Sequence, residues 1–175
     1  MSTRPRVDAP PQHTGNAIRD SALGRVPETL EEIIALNGAV WRRSLVPPAL
    51  LEVIRLRNAR TVNCVYCKSV RYREAREDGL TEARAALVGE GYAGSELHRR
   101  EKLAIGLADA YLGFPAGMSR ELALALAAEF TPEQVASMFV ALMTFNFTSR
   151  TAVSIGGMPE EPLPVTLISV DATAG

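Results

Sequence analysis

LLEVIRLRNARTVNCVYCKSVRYREAREDG, residues 50–79, is the stretch whose reading decides the fold. An apolar helix carrying Glu52 runs through Thr61, Val62 and Asn63 into Cys64-Val65-Tyr66-Cys67, and these are the only two cysteines in the 175 residues. Beyond them the pattern predicts a second helix from Lys68 to Asp78, stopped by Gly79, which sets the thiols at or near a helix N-terminus. Unpaired backbone N–H groups and the helix dipole favour an anion there, and a thiolate is the anion at hand. The spacing therefore points to reactive cysteines.

Within the same stretch Glu52, Leu56, Ala59 and Asn63 fall on one face at the helical period. A carboxylate on that stripe either pairs with Arg55, one turn on, or is partly desolvated, the setting in which a carboxyl group becomes a proton carrier. A plain ion pair on the helix surface is the competing reading.

Working outward, Pro27 and Thr29 open a helix with Glu28, Glu31 and Glu32 near its positive end and Leu30, Ile33, Ile34 and Leu36 inside, running toward Trp41. Pro47-Pro48 begin the helix that bears Glu52. Downstream, Thr81 to Gly89, Ser95 to Leu112 and Ser119 to Phe130 read as three more helices. Thr131-Pro132-Glu133 starts the last and longest, through to Ile155; it is apolar on several sides, as expected of a central helix or one buried between subunits. Gly156-Gly157 stops it. Val165 to Val170 is either a strand or an extended arm on a neighbouring subunit, and the sequence leaves both open. The expected architecture is all-α: a polar N-terminal arm over residues 1–25, a helical domain over 26–157 and a Pro-rich extended tail over 158–175.

Composition narrows the function. A formal net charge of −1 with Arg and Lys interspersed among Asp and Glu gives no basic face for nucleic acid. No apolar run approaches the roughly 18 residues needed to cross a bilayer, and Met1 to Ala17 lacks the apolar core of a secretory signal. A cytoplasmic, reducing compartment is the expectation, and there a CxxC pair is catalytic, redox-active or metal-binding rather than a permanent staple. Tetrahedral zinc needs four ligands, so two cysteines could hold it only between subunits. His13 and His98 read as surface residues.

The helix with its glutamate, the NCVYC run opening a helix, the REAREDGL continuation and the apolar helix pair ending in a Phe- and Asn-containing helix resemble the carboxymuconolactone decarboxylase superfamily, on its AhpD-like alkylhydroperoxidase side. The resemblance covers roughly Trp41 to Gly157 and implies an antiparallel helical bundle. It further implies that Cys67 attacks a hydroperoxide, that Cys64 resolves the sulfenic acid as a disulfide, and that a dithiol donor reduces it. Glu52 falls on the family's proton relay. It also implies a homo-oligomer, a trimer or hexamer, with no metal or organic cofactor. Where such peroxidases carry a histidine four residues after the second cysteine, this chain has Arg71, and Tyr66 stands where a second histidine occurs. Arginine can stabilise the Cys67 thiolate but cannot accept its proton. Glu52, with Tyr66 or water, is then the expected shuttle. Three other readings stay open: a disulfide oxidoreductase using the same cysteine pair, a decarboxylase-like small-molecule enzyme, and a non-catalytic helical oligomer that senses redox state.

Overall fold

In the computed structural model, which describes residues 4–12, 14 and 18–170, the elements follow one another as α1 (Pro27–Arg43), α2 (Pro48–Thr61), α3 (Val65–Ser69), β1 (Val70–Tyr72), α4 (Arg73–Glu77), α5 (Glu82–Ala86), α6 (Arg99–Leu112), α7 (Arg120–Glu129), α8 (Pro132–Ile155) and β2 (Thr166–Ile168). Proline sits in the first turn of α1, α2 and α8, where its missing N–H removes no helical bond. Ser119 and Thr131 cap α7 and α8 by accepting from Leu122 N and Gln134 N. No side chain of its own caps α2. Asp78, at the far end of the stretch that carries the cysteines, does so by accepting from Ala49 N at 2.9 Å, which ties that stretch back onto the start of α2.

The helix at the centre of the molecule is α2. Every residue from Leu50 to Ala59 is buried, so it has no solvent face over most of its length. It packs on α6 through Ala104, Ile105, Leu107 and Ala108, and on α8 through Met138, Ala141, Leu142 and Phe145. A helix enclosed in this way must find partners for its polar side chains. Arg57 reaches Asp109 on α6, Asn58 reaches Ser149 on α8, and Glu52 and Arg55 hold each other. α8, expected at the centre or between subunits, takes a flanking position within the chain: Met138, Leu142 and Phe145 face inward while Val140, Met143 and Phe147 form an exposed apolar row. Leu36 of α1, expected inside, is also exposed; Trp41 is buried, stacked on Tyr72 at 4.0 Å between ring centroids and tilted against Phe145 at 5.8 Å.

Two boundaries differ from the sequence reading. The helix expected from Lys68 to Asp78 is broken, because residues 70–72 leave it to pair in parallel with the tail, Val70 with Thr166 and Tyr72 with Ile168. β-branched Val70 suits an extended backbone, and the ladder satisfies the groups that the helix gives up. The undecided run near Val165 is thus a strand, and it pairs within its own chain. Glu74 fixes the tail further by accepting from Ser169 Oγ and Val170 N, both at 2.9 Å. The helix expected from Ser95 begins only at Arg99, after a 3-10 turn over Tyr92–Gly94, with Glu101 accepting from His98 N. At the N-terminal side, Arg6 N donates to Ile155 O at the end of α8 and Arg19 pairs with Glu31 of α1, so residues of the arm lie against this chain's own helices. His13 lies outside the described residues.

Candidate active site

Asn63 makes the turn on which the site is built. It is the one described non-glycine residue in the left-handed region, at φ 55°, a conformation that asparagine tolerates better than most residues. The turn lets Cys64 N donate to Ala59 O at 3.0 Å and sets Cys64 as the residue preceding α3. Cys64 Sγ accepts from Cys67 N at 3.2 Å, and the two sulfurs are joined as a disulfide with Cα atoms 5.2 Å apart. The two cysteines differ in access: Cys64 is fully buried and Cys67 is partly exposed.

Beneath the pair lies an ion pair with a second task. Arg55 donates Nε to Glu52 Oε2 at 2.7 Å and Nη2 to Glu52 Oε1 at 2.6 Å, in the two-pronged geometry that a guanidinium and a carboxylate share. The same guanidinium donates to Cys67 O at 2.8 Å and Val70 O at 2.6 Å. Burial works against the Arg55 charge, but the adjacent Glu52 more than compensates and holds it above its ordinary value. Glu52, expected either to pair with Arg55 or to be desolvated, is both paired and buried; the surface ion pair is excluded.

Above the pair, α8 contributes groups that the sequence reading did not name. Ser149 Oγ donates to Cys67 Sγ at 3.3 Å and accepts from Asn58 Nδ2 at 3.0 Å. Asn58 Oδ1 accepts from Asn146 Nδ2 at 2.8 Å, and Asn146 Oδ1 accepts from Arg150 Nε at 3.1 Å. The available signal was Asn58, an amide between Leu56 and Ala59 that on a buried helix needs a partner.

Arg71 and Tyr66 are placed differently from Glu52. With the helix ended at Ser69, Arg71 does not share a helical face with Cys67: it is buried on β1, its Nε donates to Glu82 and its Nη1 to the carbonyls of Lys68 and Val70. Lys68 donates to Asn63 Oδ1 at 2.7 Å. The Tyr66 side chain is 47% exposed at the rim. No three His, Cys, Asp or Glu side chains among the described residues converge in a way that could hold a metal ion.

The model of one protein family, the carboxymuconolactone decarboxylase family, matches residues 27–97, from the first residue of α1 to the approach to α6. The match is confined to this segment, less than half of the chain. Cys64, Cys67, Glu52, Tyr66 and Arg71 all lie inside the carboxymuconolactone decarboxylase segment, whereas Asn146, Ser149 and Arg150 lie beyond it. Two uncharacterized proteins of Mycobacterium tuberculosis, from strains CDC 1551 and H37Rv, are each 30% identical over 118 residues, 67% of this chain and 41% of theirs. The chain thus spans less than half the length of these relatives. Among solved structures, a protein of unknown function from Agrobacterium tumefaciens, with a provisional AhpD antioxidant-defence designation, is similar at TM-score 0.67 and 25% identity, over 79% of this chain and 95% of its own. The debrominase Bmp8, as a cysteine-to-alanine variant in complex with 2,3,4-tribromopyrrole, matches at TM-score 0.67 and 18% identity, over 80% and 74%. The fold is the AhpD-like helical fold, and no helix among the described residues is long and apolar enough to cross a membrane.

Proposed function

We propose that the protein is a thiol-dependent peroxidase that reduces hydroperoxides through the Cys64–Cys67 pair. The observation that carries this reading is the asymmetry of the pair: two sulfurs within bonding distance, of which only Cys67 is open to solvent. The Cys67 thiolate attacks the hydroperoxide; a sulfur–oxygen bond forms, the oxygen–oxygen bond breaks, and the departing alkoxide takes a proton from water. Cys64 then attacks the Cys67 sulfenic acid, the disulfide forms and water leaves. A dithiol donor returns both cysteines to the reduced state, so one hydroperoxide, two electrons and two protons give one alcohol and one water per cycle.

Glu52 acts in this scheme through Arg55. Both carboxylate oxygens are held by the guanidinium, which in turn grips the backbone on either side of the turn that follows Cys67. The pair fixes the position of the attacking sulfur. Arg71 performs a similar service one step further along, holding the Lys68 and Val70 carbonyls against Glu82. The chemistry suits the reducing, cytoplasmic compartment expected of the sequence.

The test is stopped-flow loss of thiol in the reduced protein on mixing with hydrogen peroxide or an organic hydroperoxide. Loss much faster than that of free cysteine, with one disulfide per chain at the end, is expected. Oxidation at the free-cysteine rate sinks the reading. The exposed row of Val140, Met143 and Phe147 on α8 supports a homo-oligomer, since an apolar stripe of this kind is usually covered. Light scattering is expected to give a multiple of 18.9 kDa, and a monomer would remove that part of the proposal.

A further inference from the structure

We propose that Ser149 is the hydrogen-bond donor that stabilises Cys67 as a thiolate, and that Asn58, Asn146 and Arg150 are positioning residues that fix the direction of its proton. The inference rests on the peroxidase reading only in taking Cys67 as the attacking sulfur.

The direction follows from the donor inventory of each group. A guanidinium N–H can only donate, so Asn146 must present its carbonyl oxygen to Arg150 Nε. Its amide nitrogen is then left to donate to Asn58, which must offer Oδ1. The Asn58 nitrogen consequently donates to Ser149 Oγ, so one lone pair of that hydroxyl is taken and its only proton is free for the sulfur. Four links run the same way, from a cation at the protein surface to Cys67 Sγ, and each polarises the next in the low-dielectric interior. Asn58 and Ser149 are both buried, so neither amide nor hydroxyl has bulk water as an alternative partner.

The charged groups around Cys67 leave this place to Ser149. Arg55 and Glu52 of α2 are spent on each other and on backbone carbonyls. Lys68 of α3 is held by Asn63, and Arg71 of β1 by Glu82 and two carbonyls. Arg150 of α8 reaches the sulfur only through the chain. Ser149 is the side chain with a proton on Cys67 Sγ. A hydroxyl aimed at a thiolate favours the charged sulfur, as a nearby cation does, without itself changing charge. It keeps its proton through the cycle; the alkoxide formed from the hydroperoxide is protonated by water.

The experiment is the pH profile of iodoacetamide alkylation of the reduced full-length protein, with Cys67 followed by peptide mass. In Ser149→Ala the Cys67 midpoint is expected to move up by about one pH unit, the size of one hydrogen bond to a charged group. Ser149→Thr, which keeps the hydroxyl, should restore the wild-type midpoint, as a purely structural role would not require. Asn146→Ala should move the midpoint the same way by less, since the Asn58 amide is then free to turn over. An unchanged midpoint in Ser149→Ala overturns the proposal. If Ser149→Ala fails to fold, Asn146→Ala decides alone, and an unchanged midpoint there overturns it equally. The readout uses no peroxide: a shift in a protein that hydroperoxides do not oxidise keeps the Ser149 assignment while the peroxidase reading falls.

Discussion

Reduced Cys67→Ser protein will show no rapid loss of thiol with hydroperoxide, whereas Cys64→Ser will consume one equivalent and stop at a sulfenic acid on Cys67. The two cysteines are not equivalent, and two physical effects rank them in opposite orders. Cys64 lies at the very start of α3, where the dipole of the helix favours its charge most. Yet α3 is only five residues long, and Cys64 has no accessible surface, so the field is small and the hydroperoxide cannot reach the sulfur. Access therefore decides, and it selects Cys67. The loss in Cys67→Ser should be effectively complete, since a serine hydroxyl with no base to activate it is not a nucleophile toward peroxide. Stopped-flow kinetics combined with trapping of the sulfenic acid by a dione reagent checks both arms. Reactivity in Cys67→Ser with none in Cys64→Ser would reverse the assignment.

Removing Glu52 will have the largest effect on stability. Glu52→Ala leaves the Arg55 guanidinium buried beneath the Cys64–Cys67 pair without its counter-charge, a change that costs about 3–5 kcal/mol for enclosed pairs. Arg55 cannot move to water without releasing the Cys67 and Val70 carbonyls. The double variant Glu52→Leu with Arg55→Met removes both charges and should recover part of the loss. It should not recover all of it, because the Cys67 carbonyl then lacks that donor, at about 1–3 kcal/mol for a buried acceptor left unpaired, while the Val70 carbonyl keeps Arg71. Urea unfolding at fixed protein concentration measures the order expected: wild type above the double variant, and the double variant above Glu52→Ala. Equal stability of Glu52→Ala and wild type would mean that Arg55 has another partner.

How far the sequence reveals this arrangement depends on the range of each interaction. Local signals are legible: Pro27, Pro48 and Pro132 mark helix starts, Ser119 and Thr131 mark caps, and the CxxC pair with Glu52 marks the candidate site. Glu52 and Arg55 are three residues apart, so their pairing can be read from helical spacing. The break after Ser69 is not legible, because Lys68 to Asp78 carries a sound helical pattern and only the distant strand at Thr166 overrides it. The position of α2 is hidden for a related reason. Its Arg57 and Asn58 look like a solvated face until Asp109, Ser149 and Asn146 arrive from other helices to pair with them. Arg71 illustrates the same limit: counting four residues from Cys67 places it on the helix, and tertiary pairing takes it onto a strand.

The contact between Ser149 and Cys67 joins residues 82 positions apart in the chain, and the strand pair reaches further still. A polypeptide emerging from the ribosome therefore has both thiols outside long before the residues that hold them in place have been made. No shorter fragment ending before residue 149 can reproduce the environment of Cys67, however well its local helices form. The CxxC motif is written early and its surroundings are finished late, so the setting of Cys67 belongs to the completed bundle rather than to the turn that announces it.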